Sequence, residues 1–385
     1  MKSIYLDNAA TTRVDDSVIK EMNKYHSESY GNASSSHLMG KESKRAISEA
    51  REVIAKSIGA RDDEIFFTSG GTEANNWALK GLFFANPGKR HIIVTKTEHD
   101  CVMESCRWLE SQGAKITYLD VDKQGFVNPV DVERAITSNT LMVSIIHGNN
   151  EIGTIQDLGA IGEICRKKGV YFHTDACQSY TKTLLDVKKQ NVDLVTLNAH
   201  KIHGPKGVGA LYIRTGVKIT PLFHGGGQES FFRSGTENVP GVMGFAKSVK
   251  IASSSDVKKM ARLRDKFISD LLKIPNTKLN GPTGEKRLCN NINICFSNID
   301  AEAIGDYLIS YGICSSIGSA CSSNTLEGMH KRSHVLEAIG LTEMEMKSSV
   351  RFSISKFTIE EELAYASKII ANIVEKLRKM SPLTK

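Results

Sequence analysis

In the stretch LNAHKIHGPKGVG, residues 197–209, Lys201 stands between two histidines just before a Gly-Pro-Lys-Gly turn. Most lysines are solvated surface groups. One held where water is partly excluded loses proton affinity and becomes a usable amine nucleophile. Four other stretches end on residues suited to work with it. VYFHTDACQ ends on Asp175, with Gln178 three positions further on. A carboxylate at the end of an apolar run is costly unless a cation or hydrogen-bond donors meet it. HIIVTKTEHD carries His99, a planar group able to stack on a ring. LMVSIIHGNNEIG carries Asn149, Asn150 and Glu151, which would equally suit a plain turn. EIFFTSGGTEANN carries Ser69, Gly70, Gly71 and Thr72, small residues that leave backbone N–H groups open to an anion where a helix begins. A simple tight turn with an N-cap would use the same residues.

These residues share one local context. DLVTLNA (193–199) and GALYIR (209–214) are apolar and β-branched and read as interior strands around the Lys201 turn. Upstream, from about residue 43, helical and strand patterns alternate. The helices are SKRAISEAREVIAKSIG, TEANNWALKGLFF, MESCRWLESQG, VDVERAIT and LGAIGEICRKKG, and the strands are EIFFTSG, HIIVTK, KITYLDVD, LMVSIIHG and VYFHTDA. Strands joined by crossover helices imply an α/β fold with a mainly parallel sheet covered on both faces. Ligands of such sheets bind at the carboxyl ends of the strands, where each candidate residue falls. After about residue 250 the pattern changes: a long polar-faced helix (IASSSDVKKMARLRDKFISDLL), then NNINICFS, GDYLISYGICSS and a final helical stretch over 358–379. This predicts a large domain over 15–255. A smaller α+β domain is expected over 256–385, joined by residues 1–14.

The 385 residues suffice for two domains, and 40% hydrophobic with 24% charged content is that of an ordinary soluble protein. The net charge of +7 is spread through blocks that mix both signs, which argues against a nucleic-acid footprint. MKSIYLDNAATT has no apolar core of a signal peptide, and no apolar run approaches bilayer length. The eight cysteines, at 101, 106, 165, 177, 289, 295, 314 and 321, form no CxxC pair, so neither a disulfide framework nor a metal knuckle is expected and a cytoplasmic location fits. Cys177 and Cys314 read as strand-associated structural residues. Cys321 lies in the small, polar run GSACSSN, as in a loop.

Together, the five strand ends fit an aromatic aldehyde bearing a phosphate, a phenolic oxygen and a ring nitrogen. The lysine would form its Schiff base, the aspartate would keep its nitrogen protonated, and the Gly-rich turn would hold its phosphate. That ligand is pyridoxal 5'-phosphate. The motifs YLDNAATT (5–12), SGGTEANN (69–76), TEHD (97–100), NNEIG (149–153), HTDACQ (173–178), AHKIHGPKG (199–207), GGGQ (225–228), RSGTENVPG (233–241), GSACSS (318–323) and VRFSIS (350–355) resemble those of NifS/IscS-type (group I) cysteine desulfurases along essentially the whole chain. The resemblance implies a homodimer with the aminotransferase-like fold that converts L-cysteine to L-alanine and an enzyme persulfide. It further implies a sulfur-acceptor protein serving iron–sulfur cluster assembly or thiolation.

Carried over residue by residue, the resemblance makes Lys201 the Schiff-base lysine. It sets Asp175 at the ring nitrogen, Gln178 at the phenolic oxygen and His99 on the ring face. Gly71, Thr72, Asn198 and His200 are implied at the phosphate, with Thr236 from a second subunit. Asn150 and Arg351 are implied at the substrate carboxylate, for which a guanidinium fork is apt, and Asn150 is implied at the cofactor as well. Cys321, in a loop over about 316–334, is implied as the sulfur acceptor. The chain departs from the pattern in four places. Asn198 stands where serine is common, Ala33 where proline is, and Ser230-Phe231-Phe232 follows GGGQE in place of an Arg-Gly pair; the segment after Cys321 is a few residues longer. Selenocysteine lyase, cysteine C–S lyase and a catalytically silent sulfur-delivery subunit stay open as alternatives at this stage.

Overall fold

The apolar runs flanking Lys201 and Asp175 become neighbouring strands of one seven-stranded sheet in the computed structural model, which describes residues 3–317 and 332–380. In chain order the strands are β1 (Ile4–Tyr5), β2 (Ile65–Thr68), β3 (His91–Thr95), β4 (Lys115–Leu119), β5 (Thr140–Ser144), β6 (Tyr171–Asp175), β7 (Leu194–Asn198), β8 (Gly209–Ile213), β9 (Thr277–Leu279), β10 (Asn291–Phe296), β11 (Ile313–Cys314), β12 (Ser316–Ile317) and β13 (Ser349–Ser353). The large sheet has the order β2-β8-β7-β6-β5-β3-β4. From β4 to β7 every ladder is parallel, and β8 runs antiparallel between β7 and β2.

Strands β2, β3, β5, β7 and β8 are buried residue by residue, as helices on both faces require. Successive side chains feed opposite cores. Ile93, Val195 and Leu197 pack with the helix Leu38–Ser57 through Ile47, Ala50 and Ile54. Ile92, Val94 and Leu194 pack with Trp77, Phe83 and Leu109 on the other face. Each such fully buried aliphatic side chain contributes roughly 1.5–3 kcal/mol of transfer free energy.

A second sheet, β12-β13-β10-β9, is antiparallel. Its core joins Ile292, Ile294 and Phe352 to Leu263 and Phe267 of the helix Ser254–Leu271 and to Ile370 of the helix Glu360–Met380. The N-terminal strand β1 lies parallel to β11, pairing Ile4 with Ile313, and Leu6 belongs to this core.

One expected element differs. TEANNWALKGLFF reads as a single helix, yet it splits into Gly71–Asn76, a π-helical turn over Trp77–Gly81 and Leu82–Ala85. The Gly81 carbonyl accepts from Thr220 N–H at 3.0 Å, and Trp77 Nε1 donates to the Thr220 carbonyl at 3.0 Å. The helix surrenders a carbonyl to the neighbouring segment and widens there.

Candidate active site

Parallel strands end at one edge, and that edge collects the reactive groups. Asp175 is the last residue of β6 and is buried. Its Oδ2 accepts from Asn75 Nδ2 at 2.7 Å and its Oδ1 from Cys177 N–H at 2.8 Å. Burial alone would push this carboxyl up. The neighbouring His99 and the N–H groups of Cys177 and Asn75 outweigh it and hold Asp175 below the usual carboxylate range.

Three residues past β7 comes Lys201, half-buried. Its carbonyl accepts from Lys182 Nζ at 3.0 Å, and the same ammonium donates to the Gln178 carbonyl at 2.9 Å, so Lys182 staples the turn after β6 to the turn after β7. The N-terminal segment is tied to the same turn. Thr12 N–H and Oγ1 both donate to the His200 carbonyl, at 2.9 and 2.8 Å, and His200 Nδ1 lies 3.2 Å from Thr11 Oγ1.

His99 caps the helix Asp100–Ser111 with extended backbone (φ −64°, ψ 149°), its Nδ1 accepting from Cys101 N–H at 3.2 Å. Burial first, then the charge of Lys201, lowers its pKa, while Asp175 opposes them. Both charged residues therefore act on this ring.

Does this set suit pyridoxal phosphate? Burial pushes His200 down to about 4, and Lys201, Lys206 and Lys182 push in the same direction. Such an excess of positive charge favours a bound anion. Gly71 opens the short helix after β2, and Gly70 before it has φ +154°. A Cβ on Gly71 would lie 2.6 Å from Cys177 Sγ, so only glycine lets the backbone sit this close. Thr72 beside it is exposed. The buried Oδ1 of Asn198 has no partner among the described residues, and a half-turn of the amide would present its donors instead. With a carboxylate held charged, a half-buried lysine and a cationic rim, the residues fit the group.

Other expected residues are partly engaged elsewhere. Gln178 Nε2 donates to the Ala9 carbonyl at 2.8 Å. Arg351, in β13 and buried, donates from Nη1 to the Asn150 carbonyl at 3.2 Å and from Nη2 to Asp7 Oδ1 at 3.0 Å. Its Nε, also buried, has no partner among the described residues. Thr236 is exposed. Two bidentate ion pairs hold the segment that carries it: Arg233 with Glu73, and Arg51 with Glu229. Cys321 and most of the loop expected over 316–334 lie outside the described residues. Cys177 is buried as expected, but Cys314 is exposed, because the two-stranded β1–β11 ladder covers Ile313 and leaves its alternate residue facing outward. No metal-binding cluster occurs among the described residues.

Four residues escaped the reading by motif: Asn75, Cys101, Glu98 and Asp7. Each sits inside a quoted motif or beside one, yet its role is set by a contact distant in sequence. Glu98 is fully buried and pushed up to about 8, chiefly by burial, although Thr95 Oγ1 and Ile146 N–H donate to it.

The class-V aminotransferase family matches residues 4–365. The chain is 48% identical over 388 residues to "Cysteine desulfurase IscS" of Methanosarcina thermophila, covering 100% of this chain and 95% of that one. A solved "NIFS-LIKE PROTEIN" is similar with TM-score 0.90 and 39% identity, over 97% of this chain and 100% of the other. A structure described as "SspA in complex with cysteine" is similar with TM-score 0.83 and 35% identity, over 93% and 100% of the two chains. No helix among the described residues is long and apolar enough to cross a membrane.

Proposed function

Since the chain belongs to the class-V aminotransferases and, among them, to the pyridoxal-phosphate-dependent cysteine desulfurases, we propose that its strand-end residues take sulfur from L-cysteine, release L-alanine and leave a persulfide on Cys321. The observation that carries this reading is the buried, charged Asp175 with the half-buried Lys201, both acting on His99.

When bound, pyridoxal phosphate supplies an aldehyde for an amine and a ring that accepts an electron pair. Lys201 would hold that aldehyde through its ε-amine. With substrate bound, the same amine would be the base that removes the Cα proton. Asp175 would meet the ring nitrogen and keep it protonated, an interaction strengthened where water is excluded. His99 would cover the ring face and Gln178 would meet the phenolic oxygen. Gly71, Thr72, Asn198 and His200 would hold the phosphate, with Thr236 supplied across a dimer interface. Arg351 and Asn150 take the substrate carboxylate. The Cys321 thiolate attacks the substrate sulfur, and the electron pair of the broken S–C bond stays on Cβ, which gains a proton.

The same reading divides the chain into a large unit over 15–255 and a small one over 1–14 and 256–385. It describes a cytoplasmic homodimer that passes its sulfur to an acceptor protein for iron–sulfur cluster assembly or thiolation. Incubation of the purified protein with L-cysteine and a reductant tests the chemistry. Equal amounts of sulfide and alanine are expected, with a persulfide on Cys321 by mass spectrometry after one turnover without reductant. Pyruvate and ammonia in place of alanine would make the protein an elimination enzyme.

A further inference from the structure

Asp175 and His99 are joined by a chain of hydrogen-bonding groups with no part in the reaction as described so far. Asn75, fully buried, has two amide hydrogens and two acceptors for them: Asp175 Oδ2 at 2.7 Å and Cys101 Sγ at 3.1 Å. Cys101 Sγ lies in turn 3.1 Å from His99 Nδ1, and the Cys101 backbone N–H points to the same nitrogen at 3.2 Å.

The direction of each bond follows from what each group can donate. Burial, reinforced by the charge of Asp175, pushes the Cys101 thiol up to about 12, so it keeps its proton near neutrality. A thiol whose sulfur accepts from Asn75 has its own hydrogen available for Nδ1. A ring nitrogen that accepts from an N–H and an S–H carries no proton itself. Neutral His99 then bears its proton on Nε2.

We propose that Asn75 and Cys101 are positioning residues that fix His99 as the Nε2–H tautomer and tie its ring to the charged carboxylate of Asp175. The proposal rests on the reading of His99 and Asp175 as cofactor-contacting residues, and it determines which nitrogen of His99 has a proton to give. The titratable groups facing His99 besides Cys101 are Lys201, Asp175, Asp100 and His334, and the substitutions below leave all four in place.

The test is nitrogen-15 NMR of the histidine-labelled holoenzyme, with the His99 signals assigned by their loss in His99→Gln. In the unmodified protein the two-bond couplings should report a proton on Nε2; a proton on Nδ1 overturns the proposal with no variant needed. In Cys101→Ala, Nδ1 loses one of its two donors and becomes easier to protonate. Both tautomers should appear, the His99 pKa should rise by about half to one pH unit, and the corresponding limb of the kcat/KM profile should move with it. Cys101→Ser, which keeps a donor and an acceptor, should restore the Nε2–H signal. Asn75→Ala should shift His99 in the same direction, by less. An unchanged tautomer, pKa and pH profile in Cys101→Ala would overturn the proposal, leaving the thiol as packing. Full turnover in His99→Gln would instead overturn the underlying reading of the site, while the tautomer measurement would still stand or fall by itself.

Discussion

Asp175 keeps its charge out of reach of water because donors and a neighbouring ring replace the lost solvent. Its substitution therefore separates charge from shape. Asp175→Asn retains the size of the side chain and much of the bound cofactor but cannot stabilise a protonated ring, and kcat should fall at least about a hundredfold. Near-normal turnover would assign the ring nitrogen to another partner. Lys201→Ala should abolish the borohydride-stable cofactor adduct and the visible absorbance of the covalent form. An adduct recovered on any other lysine would reassign the nucleophile. Arg351 presents a third case, because its guanidinium is already engaged by Asp7 at 3.0 Å and by the Asn150 carbonyl. In the proposed role, a substrate carboxylate would compete with Asp7 for that fork. Asp7→Asn should lower KM for L-cysteine by about three- to tenfold with kcat little changed. A raised KM would show that Asp7 orients the arginine.

Between the elements, two ion pairs deserve comparison with the backbone they restrain. Glu229, Ser230 and Phe231 are consecutive non-glycine residues with positive φ (45°, 55° and 66°). Such conformations cost roughly 1–2 kcal/mol each. They persist because Arg51 grips Glu229, whose Oε2 also accepts from Phe67 N–H at 2.8 Å, and because Phe232 packs on Phe66 with ring centroids 5.0 Å apart. Arg233 closes the segment onto Glu73, whose Oε2 accepts from Ser69 N–H at 2.8 Å at the start of the Gly-rich turn. Arg233→Met leaves the Glu73 carboxylate buried without its cation. The unfolding free energy should fall by about 3 kcal/mol. The cofactor should also dissociate faster, because the same pair braces the Gly-rich turn proposed to hold its phosphate. Denaturant midpoints and cofactor release rates measure the two effects. Loss of stability with unchanged release would limit the pair to holding the segment.

Across the whole molecule, the N-terminal segment stitches the two sheets together at the site. Asn8 Nδ2 donates to the Ser353 carbonyl at 2.9 Å and Ala9 N–H to Ser353 Oγ at 2.7 Å, while the Ala9 carbonyl and Thr12 bind Gln178 and His200. The buried titratable groups in and beneath this region give stability a definite pH dependence. His147 and His173 are lowered to about 4 by burial, and Glu98 is raised to about 8, also by burial. For the histidines, the folded protein binds fewer protons than the unfolded chain. Their contribution is complete above about pH 6.5 and is lost as pH falls towards 4. Glu98 works in the opposite sense: its contribution is complete below about pH 4.5 and is lost as pH rises to 8. The lowered pKa of Lys182, about 8, acts above this window. Between pH 6.5 and 8 Glu98 should therefore take up to about 1.4 kcal/mol of stability per pH unit, against the opposite trend left by the lowered histidines, His91, His99, His200 and His203 included. Glu98→Gln, which cannot ionise, should lose this contribution, so its stability should gain on that of the unmodified protein as pH rises. Melting temperatures of both proteins across that interval provide the measurement, and parallel curves would show that Glu98 is ionised in the fold.

Features that depend on neighbours in the chain were legible without a structure. The apolar runs of β5, β6 and β7 needed only their composition, and Lys201, Asp175 and His99 declared themselves by closing such runs. Strand geometry and turn chemistry act over a few residues, so a local pattern suffices. What tertiary structure alone decided are contacts between residues far apart in sequence. Asn75 meets Asp175 across 100 positions, and Arg351 meets Asp7 across 344. The outward face of Cys314 depends on a ladder with the far end of the chain, and the π-turn at Trp77 depends on Thr220. No local pattern encodes these, because which donor meets which acceptor follows from how the packed elements cross, and a buried polar group takes whatever partner that crossing brings within reach.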